Sequence, residues 1–342
     1  MAVAINKILA INPDSIFTRI AVYNNSSCTF FKTIQHNEAD LEQFETIPDQ
    51  LRFRIDIIMK ELENNDIDKN LIKVVVGLGG LIKPLPSGIY RVNESMKRDL
   101  RTGIQGQHAN NLGGLIADAI ASGIEGANAI IVDPVVVDEM EEVARISGHP
   151  MFERKSIFHA LSQKYVSMKY AESKHTEYEQ LRLIVVHIES GISVGAHRYG
   201  SVIDVNQALD GDGPFSFMRS GSLPIGDLLR KSSEGDNIRK ELFDIITRSG
   251  GLRSYLDIKN LGELEELLNK GDHKAEFYTY AMAYQVAKEI GAMCTVLEGE
   301  VDAILISGEI FHQQKFLDGL LKHVEKIAPV VGYPHSNEME AL

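Results

Sequence analysis

An α/β chain of two duplicated domains, with paired turns facing one ligand across a cleft, is the fold this sequence predicts, on three observations. An apolar strand, a tight polar turn and a second strand occur twice, over Lys7 to Tyr23 and again over Leu183 to His197. The length of 342 residues exceeds the usual single core and favours two domains, taken as 1–150 and 151–342. A further apolar strand, Val301 to Ser307, ends at Gly308 and precedes a helix, an arrangement that faces phosphate. Such turns offer backbone N–H groups, hydroxyls and an amide to anionic oxygen, so the first expectation is a phosphate clamp.

The elements follow in order. After the first hairpin, apolar residues at Leu51, Ile55, Ile58 and Leu62 give Leu41 to Asn65 the spacing of a helix. Val74 to Gly77 reads as a short buried strand running into Gly79 and Gly80, followed by a Pro/Gly-rich loop through Gly88. Gln107 to Ser122 is expected to be helical, and Ala129 to Asp138 a buried strand with an acid at its carboxyl end, where ligands of open α/β sheets bind. A helix over Ser156 to Ser173 leads through a polar stretch into the second hairpin. Tyr199 to Pro224, rich in Gly, Asp and Ser, reads as a long functional loop. Helices are expected over Ile238 to Thr247, Leu261 to Asn269, His273 to Leu297 and Gln313 to Lys326.

The totals exclude several roles. A hydrophobic share of 44% and a charged share of 24% belong to a globular chain. The formal charge of −13 argues against nucleic acid or a membrane surface as partner, since both demand a basic face. Any anionic substrate is therefore held by a few placed cations. The longest apolar run, Ala127 to Val137, is interrupted by Asn128, Asp133 and Pro134 and is too short to span a bilayer. The first residues lack the apolar core of a signal peptide. Cys28 and Cys294 form no metal-ligand spacing, and a reducing cytoplasm is the expected setting.

Several stretches resemble the acetate and butyrate kinase family, a branch of the actin-like superfold. They include Ile11-Asn12-Pro13, Tyr90 to Asn93, Val132 to Glu139, Ala144 to Gly148, Glu153 to Ala160, Gly191 to His197, Leu209 to Ser216, Ala281 to Ala292 and Asn337 to Leu342. They span nearly the whole chain and resemble butyrate and branched-chain fatty acid kinases more than acetate kinases. The resemblance implies two actin-like (ribonuclease H-like) domains, each a mixed sheet flanked by helices, closing over an interdomain cleft. It implies that the C-terminal end packs back on the first domain. It also implies phosphoryl transfer between ATP and a short fatty carboxylate, giving acyl phosphate and ADP, with Mg²⁺ present and a homodimer or higher homo-oligomer in the cytoplasm. Such a reaction asks for alignment and charge neutralisation rather than covalent chemistry. The helix Tyr278 to Leu297 is a candidate oligomer contact, with an ordinary buried helix as the alternative.

Matched motif by motif, the resemblance assigns Asn12 to Mg²⁺ and the terminal phosphate, and Ser15 and Arg19 to the phosphate loop. It assigns His108, Asp133, His187 and Arg219 to catalysis, Gly191, Ser307 and Gly308 to nucleotide phosphate, and Glu338 to the metal, with Glu340 as second choice. The chain also departs from the family pattern. Asp14 and Phe17 stand where a glycine and a serine are usual, and Leu78 replaces an arginine, with Lys83 nearby. Glu189 and Ser190 replace two glycines, and Glu309 a third. Carboxylates beside phosphate oppose an anionic nucleotide. A second reading therefore accompanies the kinase: a catalytically weakened paralogue that binds a carboxylate or acyl phosphate, or serves as a regulatory subunit.

Overall fold

The computed structural model describes residues 7–309, 313–334 and 338–342. The chain divides into two compact units, Met1–Val137 with Asn337–Leu342, and Asp138–Ser336. The division precedes the 150/151 boundary expected from sequence because the intervening segment is bonded into the second unit. Glu141 N–H donates to Ile203 O at 3.0 Å, Lys164 Nζ to Glu139 Oε2 at 2.6 Å, and Arg154 Nη1 to Ala144 O at 2.7 Å.

The first unit is built on a six-stranded sheet. Its strands are β1 (Lys7–Pro13), β2 (Phe17–Asn24), β3 (Ser27–Gln35), β4 (Ile72–Leu78), β5 (Ile89–Arg91) and β6 (Asn128–Val132), in the order β3-β2-β1-β4-β6-β5. The hairpin strands pair antiparallel, and β1, β4 and β6 run parallel. Leu9, Ala10, Ile11, Ile20, Ala21 and Val22 are all fully buried, so both faces of the hairpin are covered. Helices α1 (Glu38–Glu42), α2 (Leu51–Asn64), α3 (Glu94–Thr102) and α4 (Asn111–Ser122) accompany the sheet.

Two expected elements are shorter here. The helix expected from Leu41 begins only at Leu51, behind a single 3₁₀ turn that Thr46 and Asp49 cap reciprocally and that carries Pro48 near its start. The strand expected to reach Asp138 stops at Val132, because Asp133 turns into the left-handed region at φ 34° and Pro134 has no N–H to donate to a ladder.

The second unit repeats the plan. Its strands are β7 (Arg182–Ile188), β8 (Ile192–Arg198), β9 (Ser201–Val205), β10 (Ala303–Gly308) and β11 (Val330–Tyr333). Read as β9-β8-β7-β10-β11, their order and directions repeat β3-β2-β1-β4-β6. The duplication glimpsed in two hairpins thus extends to five strands. Its helices are α5 (Ala160–Ser173), α6 (Ile225–Ser232), α7 (Asp236–Asp244), α8 (Gly251–Leu256), α9 (Leu261–Asn269), α10 (His273–Val296) and α11 (Gln314–Val324). Asn260 caps α9 by accepting from Glu263 N–H at 3.0 Å, and Asp272 caps α10 through Ala275 N–H at 2.8 Å. The long loop expected from Tyr199 is shorter at its start, where Val202, Ile203 and Val205 are buried in β9.

A last four-residue helix, α12 (Glu338–Ala341), belongs to the first unit, where Met339 packs with Ala10, Ala21 and Val76. Among the described residues no helix is long and apolar enough to cross a membrane.

Candidate functional site

In the first unit the sequence-assigned residues gather at the β1–β2 turn. Asn12, 3% exposed, donates from Nδ2 to Oε2 of Glu338 at 2.5 Å. The same oxygen lies 3.9 Å from Nη1 of Arg19, which pairs with Asn12 across the hairpin. Asn12, Arg19 and Glu338 therefore meet, although Glu338 lies at the far end of the sequence. Glu340 is exposed.

The two unusual residues of this turn have local work. Asp14 Oδ1 accepts from Ser15 N–H at 2.5 Å, and Asp14 N–H donates to Phe17 O at 2.9 Å. The Phe17 ring lies beneath the Arg19 guanidinium, 4.5 Å from its centroid. Ser15 is exposed at the tip.

Beneath the turn is Arg54 of α2, a residue the sequence reading did not single out. Fully buried, it donates to the carbonyls of Ser15 at 3.1 Å and Phe17 at 3.0 Å, to Thr18 Oγ1 at 2.9 Å and to Gln50 Oε1 at 2.9 Å. Burial pulls its pKa down to about 10, against the pull of Asp14. Thr18 Oγ1, which accepts from Arg54, also lies 2.8 Å from Nε2 of His36. Burial, and next the Arg54 charge, hold His36 down to about 4, with Asp40 opposing.

His108 and Asp133 hold backbone. His108 Nδ1 accepts from Asn110 N–H at 3.2 Å just ahead of α4. Asp133 Oδ1 accepts from Ser87 Oγ and Gly88 N–H, each at 2.7 Å, which fixes the Pro/Gly loop. Leu78 is buried at the end of β4, and Lys83 is exposed.

In the second unit the assigned residues converge on the β7–β8 turn. His187, fully buried, has Nδ1 2.9 Å from Ser307 Oγ, and that hydroxyl also lies 3.3 Å from Val186 O. Ser307 thus orients the imidazole from inside the sheet rather than presenting its hydroxyl outward. Gly308, at φ 107°, lies against β7 so closely that a Cβ there would come within 2.1 Å of Ile188 O.

Across the turn stands Arg219. It donates from Nη1 to Ala208 O at 2.5 Å and from Nη2 to Ser190 Oγ at 3.3 Å. Ser216 Oγ donates to Ser190 O at 2.5 Å and accepts from Arg219 N–H at 3.0 Å, so the loop is stitched to the turn. A Cβ on Gly191 would meet Arg219 Nη1 at 2.2 Å, which is why the guanidinium can lie there. Arg219 also borders a small pocket of mixed lining, apolar at Ile192, Leu209, Pro214 and Ile246 and polar at Gln207, Asp210 and Asp212.

The sequence reading gave no role to His159, although it lies in a stretch that carries the family resemblance. Its ring is 4.6 Å from that of His187, with Nδ1 2.8 Å from Ser193 Oγ. Glu189 completes the group, with Oε1 3.5 Å from His187 Nε2. Glu309 is exposed.

The model of the acetokinase family matches residues 148–327. Over 336 residues the chain is 47% identical to butyrate kinase 2 of Clostridium acetobutylicum, covering 98% of this chain and 94% of that one. It is 44% identical, over the same shares, to a probable butyrate kinase of Clostridium botulinum. In fold it is similar to the acetate kinase of Porphyromonas gingivalis, with a TM-score of 0.77, 17% identity and 98% of each chain covered. With its duplicated mixed sheets, the chain belongs to the acetokinase family.

Proposed function

We propose that this protein transfers the terminal phosphoryl group of ATP to a short fatty carboxylate, butyrate or a branched-chain acid, forming acyl phosphate and ADP. A carboxylate oxygen attacks the γ-phosphorus, the bond to the β,γ-bridging oxygen breaks, and ADP leaves with that oxygen. The observation that carries this reading is the β7–β8 turn, where an imidazole fixed by Ser307 and a guanidinium anchored on Ala208 flank one backbone bend. The names of the relatives 47% and 44% identical to it agree with the reading.

The residues divide the work. His187 donates to phosphoryl oxygens, and Arg219 neutralises charge on the group in transfer; at a loose transition state one arginine is worth about 10³–10⁵ in rate. Ile192, Leu209 and Pro214 offer the apolar wall that an acyl chain needs beside Arg219. Asn12, Ser15 and Arg19 receive the nucleotide phosphates in the first unit. An amide oxygen and a buried carboxylate suit a hard cation, so Asn12 and Glu338 are the residues to hold Mg²⁺, which when bound neutralises phosphate charge. His108 and Asp133 act by shaping the α4 entry and the Ser87–Gly88 loop. A homo-oligomer in the cytoplasm completes the reading, on the family resemblance.

Two of the departures that favoured a weakened paralogue have structural uses: Asp14 caps its own turn, and Phe17 supports Arg19. Hydroxylamine trapping tests the choice. With ATP, Mg²⁺ and carboxylates of two to five carbons, hydroxamate should form fastest with butyrate or a branched acid. Trapping at background for every acid overturns the proposal.

A further inference from the structure

We infer that His159, His187 and Glu189 form a binding site for a borderline divalent cation of the zinc or cobalt class. Because Ser307 holds Nδ1, a cation on Nε2 takes His187 away from phosphoryl oxygen, so cation binding and the role given to His187 in transfer exclude each other. The cation site itself stands on geometry apart from the carboxylate-kinase reading. One ligand atom from each of the three residues lies within 4.8 Å of the other two. Zn–N and Zn–O bonds of about 2.0–2.1 Å at tetrahedral angles place ligands about 3.4 Å apart. The His187–Glu189 pair, at 3.5 Å, already meets that spacing. The widest separation within that limit needs a contraction of about 1.4 Å.

Two further observations point to a cation rather than to chance proximity. His187 is fully buried, and its Nε2 has no hydrogen-bond partner among the described residues, so a buried nitrogen is aimed at the group. Both imidazoles are also held through their other nitrogen by a serine hydroxyl, His187 by Ser307 and His159 by Ser193. Metal-binding histidines are fixed in this way by a hydrogen bond at the distal nitrogen, which sets tautomer and ring plane. Ser193 is itself held by Gln163 Nε2 at 2.9 Å. Two imidazoles and one carboxylate favour zinc or cobalt over magnesium, and three protein ligands leave a fourth position for water or an anionic oxygen.

Co²⁺ titration in excess Mg²⁺, followed by visible absorption and calorimetry, tests the site. Wild type is expected to bind one Co²⁺ per chain at this site with the intense visible bands of low coordination number. Affinity should fall at least ten-fold in E189Q and in H159Q, two variants at partly exposed positions, with circular dichroism unchanged. Equal affinity in wild type and E189Q, or no visible band on Co²⁺ addition, overturns the inference.

Discussion

Lowering the pH from 7 to 5 is expected to destabilise the protein partly through one side chain, His36. Thr18 Oγ1, itself held by Arg54, lies 2.8 Å from His36 Nε2, and burial beside the Arg54 charge favours the neutral ring. Its pKa is held to about 4, against about 6.5 for a free histidine. The folded value lies below the unfolded one, so between these two pH values the unfolded chain binds more protons and stability falls as pH falls. The contribution is intact above pH 6.5, and integrating the two titrations gives a loss of about 2 kcal/mol between pH 7 and pH 5. His197, buried and lowered well below its ordinary value, acts in the same direction, so the His36 share must be isolated. Urea unfolding of wild type and H36Q at both pH values does this. H36Q should lose about 2 kcal/mol less than wild type on acidification. Equal losses in the two proteins would refute the reasoning.

Other substitutions follow from the same geometry. R219A should lower kcat/KM about 10³-fold or more with the fold intact, and R219K should recover only part, because lysine lacks the two-pronged fork held by Ala208 and Ser190; circular dichroism with steady-state kinetics checks both. R54M removes the donors that satisfy the Ser15 and Phe17 carbonyls and should cost about 3 kcal/mol in denaturant unfolding. G308A forces a Cβ to 2.1 Å from Ile188 O at a positive φ and should cost at least about 3 kcal/mol, seen as a lowered midpoint or loss of soluble protein.

Much of this fold was legible because each hairpin joins two apolar runs through a short polar turn. Strands escaped where they lacked a buried face or length, and β9 escaped although buried because it opens a stretch rich in Gly, Asp and Ser. In β3, Ser27, Cys28, Thr29 and Lys32 are all exposed, and β5 has only three residues. A helix start and a strand end were misjudged where Pro48 and Pro134 interrupt a continuing apolar pattern. In the site, Asn12, His187 and Arg219 could be named from motifs, but their partners could not be read from a linear sequence. Arg54 left one signal: it precedes Ile58 and Leu62 by four and eight positions, on the buried face of α2, where a charged residue must find buried acceptors. Ser307 was read as facing a nucleotide because its motif ends a strand. Only the parallel pairing of β10 with β7 shows its hydroxyl directed to His187.

The central claim is transfer of phosphorus to a carboxylate oxygen, and ³¹P NMR of the protein with ATP, Mg²⁺ and butyrate tests it most directly. The account predicts an acyl phosphate resonance growing in equal amount with ADP, present only when butyrate is present. ADP accompanied by inorganic phosphate alone, or no ADP at all, would contradict it.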